Sequence, residues 1–343
     1  RLEAAGIPRD RIVILIATGL HRPATPAEIR EIVGEDVAAR YRVENHDARD
    51  FPAHRSLGST RAGTPIHIDE RFVSAELRIT LGFIEPHLMA GFSGGRKLVV
   101  PGLAAQETIK VIHSPKFMRE PMAVEGSIES NPLHRELVEI AGAAGHQFMV
   151  DVALARDRGI AAVFAGDPVA AHRRGVEFVS GALLETLDEP ADAVITTGAG
   201  YPLDLTYYQT IKGMVTPLDI LEPGGTLIIA SECSEGFGSH EFRAAQERLV
   251  ELGPQKFLAT LTAKTLADVD EWQTEMQLKP MRVGRIQLYT TGLDAEERRI
   301  TGVELVPSLD AAVAESVARH NDGAVAVIPE GPYVVPVHRA AAA

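Results

Sequence analysis

The feature that most constrains this chain is a repeated alternation of short apolar, β-rich runs with amphipathic helical stretches. Strand candidates fall at 12–16, 77–83, 148–154 and 160–164, and a second series follows at 193–197, 226–230 and 285–289. The second series holds a helical pattern at 239–252. Strands that alternate with helices predict an α/β fold with a largely parallel sheet, and the pattern occurs twice. Helix starts are written locally. Thr25-Pro26-Ala27-Glu28 combines an N-cap hydroxyl, a proline in the first turn and a glutamate placed to close a capping box, and Asn131-Pro132 and Asp167-Pro168 begin helices in a similar way. The polar, proline-containing stretch LETLDEPAD at 184–192 marks a boundary. The expectation is two α/β domains with a cleft between them: 1–185, carrying cofactor and catalysis, and a smaller substrate-side domain at 190–320. The tail at 321–343 is expected to pack back on the first domain.

Composition narrows the function. With 34 Lys and Arg against 47 Asp and Glu, the net charge of −13 repels phosphate backbones and anionic membrane surfaces, so neither nucleic acid nor membrane is an expected partner. The single cysteine, Cys233, excludes an intramolecular disulfide and any multi-thiolate zinc or iron–sulfur site, which fits a reducing, cytoplasmic setting. No apolar run reaches the roughly 18 residues of a membrane span, and the first residues have the wrong flanks for a signal peptide. The chain starts at Arg1 and enters a strand almost at once, so a preceding segment is expected.

The least ordinary stretch is Pro86-His87-Leu88-Met89-Ala90-Gly91-Phe92-Ser93-Gly94-Gly95-Arg96-Lys97. Its three glycines free the backbone to bring N–H groups close to an anion, with Arg96 and Lys97 adding positive charge at the same place. It is neither a Walker A sequence nor a GxGxxG fingerprint, and a tight turn is the plain alternative. A lysine beside an arginine in such a loop can have its pKa lowered enough to be nucleophilic. His21, in Thr18-Gly19-Leu20-His21-Arg22-Pro23, and His87 each follow a predicted strand, where open α/β sheets gather ligands. Two imidazoles there suit acid–base chemistry on two faces of a substrate. His113 closes the helical segment 105–113, where by itself it reads as a cation on the helix dipole sooner than as a metal ligand. His46, His54, His134 and His172 have no comparable context and receive no role.

The ordered set TGLHRP, PHLMAGFSGGRKLVVPG and IHSP resembles the signature of the nickel-dependent lactate racemases, over a span from about Arg11 to Pro336. That resemblance implies a nickel-pincer nucleotide (pyridinium-3-thioamide-5-thiocarboxylic acid mononucleotide nickel) covalently joined through Lys97, with Ser93, Gly94 and Gly95 beside it in the cofactor site. It makes His113 the protein ligand to nickel and His21 and His87 the two catalytic bases. Tyr208, Gln209, Lys212 and Trp272 look like the family's substrate-side residues. Gln209 and Lys212 would meet the carboxylate, while Tyr208 and Trp272 would keep water out. For Trp272 ordinary core packing is the alternative. The family's upstream Asp-x-Thr-Arg-Pro motif does not occur in this sequence.

The implied reaction is racemisation of a small 2-hydroxy acid, most simply lactate. One histidine removes the hydroxyl proton while a hydride moves to the cofactor, and the planar 2-keto acid receives it back on either face. Enzymes of cofactor biosynthesis would be partners for loading. Three alternatives stay open: the same chemistry on malate, a longer aliphatic or an aromatic 2-hydroxy acid; a catalytically silent nucleotide-binding protein or cofactor carrier; and a metal-free lyase with Lys97 as a Schiff-base lysine.

Overall fold

The computed structural model describes residues 1–320 and 324–339 and separates into two compact units. The first comprises Arg1–Ile84, Gly94–Ile112 and Arg135–Gly175; the second comprises Glu85–Ser93, His113–His134 and the described residues from Val176 onward. The division is therefore discontinuous, unlike the linear split at 185–190 expected from sequence. The segments that begin at Glu85 and His113, each carrying a histidine of interest, group with the second unit.

In the second unit five parallel strands lie in the order Glu304–Leu305, Arg285–Tyr289, Leu221–Ala230, Ala191–Thr197, Ala326–Ile328. Val194, Leu227, Ile228, Ile229 and Leu288 are fully buried, as expected of a parallel sheet covered on both faces. Strands after Ala191–Thr197 step outward on one side until the last returns on the other, which makes the carboxyl end of Ala191–Thr197 a topological switch point. The helix Tyr207–Val215 follows that strand. Thr206 caps it by accepting a hydrogen bond from the Gln209 N–H. The helix Glu271–Val283 is buried almost throughout, from Glu271 to Leu278.

The predicted tail at 321–343 divides. Residues 321–323 and 340–343 lie outside the described residues, but Ala326–Ile328 is an edge of the second unit's sheet, and Val335–His338 pairs in parallel with Leu184–Leu187. The stretch read from sequence as a linker thus holds a short strand. Leu184, Glu185 and Thr186 are exposed there, so no apolar alternation announced it.

The first unit is only partly parallel. Val13–Ile16 pairs in parallel with Arg42–Asn45, and Ile79–Phe83 in parallel with Phe148–Leu154. His54–Ser59 runs antiparallel to Pro65–Asp69, and Phe148–Leu154 antiparallel to Ile160–Gly166. The reason in the last case is connection length. The turn at 155–159, closed by the Ala155 N–H on Gly159 O at 2.8 Å, is far too short for the crossover a parallel pair needs. In this sheet Met149, Asp151 and Ala153 point to the buried face, while Leu81, Phe83, Phe148 and Val163 are exposed.

The local helix signals act as the sequence indicates. Thr25 and Glu28 form a complete capping box, Asn131 Oδ1 accepts from the His134 N–H at 3.1 Å, and Asp167 Oδ1 accepts from Val169 and Ala170. Among the described residues no helix is long and apolar enough to cross a membrane.

Candidate active site

In the first unit the loop carrying His21 is stapled to the turn carrying Lys97. Gly19, at φ +54°, donates its N–H to Gly102 O at 3.0 Å, and Gly102 donates to Lys97 O at 3.1 Å. A Cβ at Gly102 would lie 2.4 Å from Leu98 O, so only glycine permits this approach. His21 is exposed and Lys97 half-buried. Lys97 sits in the short helix Arg96–Val99, entered through Gly94 at φ +77° and Gly95 at φ +49°. Both take a left-handed backbone that glycine adopts at little cost.

Arg96 departs from expectation. It does not face an anion at the loop surface; it is 4% exposed, and its Nη1 donates to Gly94 O at 3.1 Å and to His172 Nε2 at 2.7 Å. Burial lowers its pKa to about 9 against the opposing pull of Asp151, so it remains a buried cation at neutral pH. Asp151 accepts the Gly95 N–H at 2.7 Å, and burial raises its pKa. Sequence reasoning passed over His172 and Asp151. A signal existed for Asp151, a lone acid on the inward positions of the apolar strand Phe148–Leu154. His46, also passed over, is buried with Nδ1 3.0 Å from Asp69 Oδ2 and Nε2 3.0 Å from Ala104 O, and Arg71 and Glu44 extend that network.

The second unit holds the remaining candidates. His87 lies in the tight pairing of Pro86–His87 with Gly91–Phe92, and its Nδ1 accepts the N–H groups of Met89 at 3.3 Å and Ala90 at 3.2 Å. In the neutral ring the proton is therefore on Nε2. A Cβ at Gly91 would lie 1.8 Å from Ser127 O, which fixes glycine at that turn. Ser93 closes the base of the loop: its Oγ accepts the Glu85 N–H at 2.9 Å and its N–H donates to Glu85 O at 2.8 Å.

His113 follows the helix Gln106–Ile112, and its ring centroid is 4.5 Å from that of Trp272, tilted by 32°. Trp272 Nε1 donates to the Tyr208 hydroxyl at 3.1 Å, and Gln273 Nε2 donates to Tyr208 O at 2.8 Å. Burial is the first cause that raises the Tyr208 pKa. One turn along the same helix stands Lys212, whose pKa burial lowers to about 8 while Glu85 pulls it back up. Gln209, between them, has a buried Oε1 with no hydrogen-bond partner. His113, Trp272, Tyr208, Gln209 and Lys212 thus form one constellation, and Glu85 links it electrostatically to the loop of His87. Among the described residues no three His, Cys, Asp or Glu side chains converge as a metal site.

Comparison with known proteins decides the family. Residues 1–126 match the lactate racemase N-terminal domain and residues 187–336 the lactate racemase C-terminal domain. The lactate racemase of Thermoanaerobacterium thermosaccharolyticum is 33% identical over 330 residues, covering 94% of this chain and 76% of that protein. The chain belongs to the lactate racemase family. A second member of the family, the lactate racemase of Lactiplantibacillus plantarum, is 34% identical over 331 residues with the same shares covered. The solved lactate racemase apoprotein from T. thermosaccharolyticum superposes with a TM-score of 0.89 at 32% identity, over 95% of this chain and 78% of that one. A protein from Thermotoga maritima shares the fold at 16% identity, with a TM-score of 0.72 over 95% and 86% of the two chains.

Proposed function

We propose that this member of the lactate racemase family interconverts the enantiomers of lactate, or of a closely similar small 2-hydroxy acid, with a nickel-pincer nucleotide held through Lys97 and His113. The observation that carries this reading is the helix Tyr207–Val215, where a buried, unpartnered amide oxygen on Gln209 stands beside a lysine kept half-buried at Lys212. A cation and an amide at that spacing suit a small acid that brings both a carboxylate and a hydroxyl.

The residues present fit the cofactor in their chemistry. Imidazole is a good nickel ligand, and His113 is presented just past a helix end with Trp272 against its ring. Lys97 presents an amine from a glycine turn that brings backbone close to whatever adjoins it. When bound, the group supplies a hydride acceptor and donor that an unmodified protein lacks. Everything else belongs to the chain. Lys212 and Gln209 anchor the carboxylate and so orient the reacting carbon. Trp272 and Tyr208, held to each other by a hydrogen bond, keep water from it. His21 and His87 move the hydroxyl proton: one accepts it as the carbon becomes planar, and the other returns a proton to oxygen for the opposite enantiomer. Because the Met89 and Ala90 N–H groups occupy Nδ1, Nε2 is the nitrogen His87 offers for that transfer.

The test is intact-protein mass and nickel content after co-expression with cofactor-biosynthesis enzymes, comparing wild type with Lys97→Ala, followed by lactate racemisation with His21→Ala and His87→Ala. A nucleotide-sized adduct and nickel, both lost with Lys97→Ala, together with racemisation lost in both histidine variants, are expected. A wild-type protein that takes neither adduct nor nickel under those conditions sinks the cofactor assignment. Full racemisation by a loaded histidine variant sinks the two-base assignment.

A further inference from the structure

We infer that Asp151 and His172 are positioning residues for Lys97, acting through the turn that delivers it; the role rests on the reading of Lys97 as the attachment lysine. Three residues precede Lys97 in this turn, and each is tied by a buried side chain. Asp151 Oδ2 accepts the Gly95 N–H at 2.7 Å and packs so closely that a Cβ on Gly94 would come within 2.4 Å of it. His172 Nε2 accepts from Arg96 Nη1 at 2.7 Å, and its ring covers Gly95, where a Cβ would lie 3.3 Å from Cδ2. Gly94 O receives both Arg96 Nη1 and the Lys97 N–H, each at 3.1 Å. Asp151 is fully buried and His172 is 3% exposed, so neither can exchange these contacts for water.

The chemistry accounts for the choice of residues. A guanidinium has donors only, so His172 must accept through an unprotonated Nε2. A buried Arg96 cation needs an opposing charge, and Asp151 supplies it while gripping the turn. Two left-handed glycines are the most pliable entry a helix can have. The Asp151–Arg96–His172 brace removes that freedom directly behind Lys97 and so fixes the backbone from which the amine is offered. Covalent attachment tolerates little misplacement of the nucleophile.

The test uses unloaded protein first. Trace acylation at about pH 8 reads the reactivity of Lys97 relative to Lys110, with melting temperature as a check on folding, in Asp151→Ala, Asp151→Asn, His172→Leu and His172→Gln. Asparagine keeps an acceptor for Gly95, and glutamine keeps one for Arg96. The expected pattern is a change of about threefold or more in relative Lys97 labelling for Asp151→Ala and His172→Leu, with His172→Gln within about twofold of wild type and Asp151→Asn closer to wild type than Asp151→Ala, since it keeps the Gly95 acceptor but loses the charge opposite Arg96. Unchanged labelling in the first pair, or conservative variants no better than the disruptive ones, overturns the positioning role. If Asp151→Ala does not fold, the two His172 variants decide. Adduct mass after co-expression with loading enzymes then separates the two ideas. The labelling pattern without a wild-type adduct leaves the brace standing and removes the attachment. A wild-type adduct with flat labelling does the reverse.

Discussion

At the scale of single residues the site depends on what burial does to charge. Lys212 is an ordinary lysine whose surroundings lower its pKa to about 8, so it is largely charged at neutral pH and loses its proton well before a solvated lysine would. Binding of an anionic substrate should therefore weaken as pH rises through about 8, seen as a rising KM, and Lys212→Arg should flatten that limb because a guanidinium keeps its charge. Lys212→Ala should raise KM by about 10- to 100-fold, the worth of one charge-assisted hydrogen bond. A KM indifferent to Lys212→Ala would remove it from the substrate site. As candidates, Lys97 and the histidines at 21, 87 and 113 were legible in the linear motifs, and Lys212 in its spacing from Gln209. Asp151 and His172 were not, because their meaning lies in Gly95 and Arg96, tens of residues away along the chain.

At the scale of elements, local signals and tertiary burial separate cleanly. The Thr25 box needs only four consecutive residues, so Thr25→Ala should cost about 1 kcal/mol in denaturant unfolding, with no effect on ligand binding. The helix Glu271–Val283 is the opposite case. Its Glu275 is 5% exposed, and burial raises its pKa to about 7 despite Arg119 and Lys279 nearby, with Glu271 adding to the shift. Because the folded state holds a proton there that the unfolded chain releases above about pH 4.5, this group favours the fold at low pH. Stability is lost as pH rises from about 4.5 through about 7. Glu275→Gln should thus raise the melting temperature at pH about 8 and leave it nearly unchanged at pH about 5. An equal shift at both pH values would mean the carboxyl does not titrate in this way. Nothing in the polar sequence of that helix predicted its burial. Its hydrophobic contrast is weak, and it is enclosed because helix and sheet surround it.

At the scale of the whole molecule, the two-domain α/β organisation was legible, and so was the family, since both rest on order along the chain. The partition into units was not. The segments Glu85–Ser93 and His113–His134 leave the first half of the sequence to join the second unit, and the residues near the C-terminus supply its sheet edge at Ala326–Ile328 and a strand partner at Val335–His338. Deleting residues 326–339 should accordingly expose the Ala191–Thr197 and Leu184–Leu187 edges, with faster proteolysis of the second unit and a lower melting temperature. Unaltered proteolysis would mean those pairings carry little stability. By itself the sequence determined the local matters: where helices start, which turns require glycine, which residue types are available for acid–base, amine and ligand chemistry, and that strands alternate with helices. Only the tertiary structure decided which of them are buried, that Arg96 turns inward to His172 and Asp151 rather than out to an anion at the loop surface, and which unit each histidine belongs to. Capping and turn preferences act between neighbours in the chain, whereas desolvation and side-chain pairing depend on distances that exist only once the chain has folded.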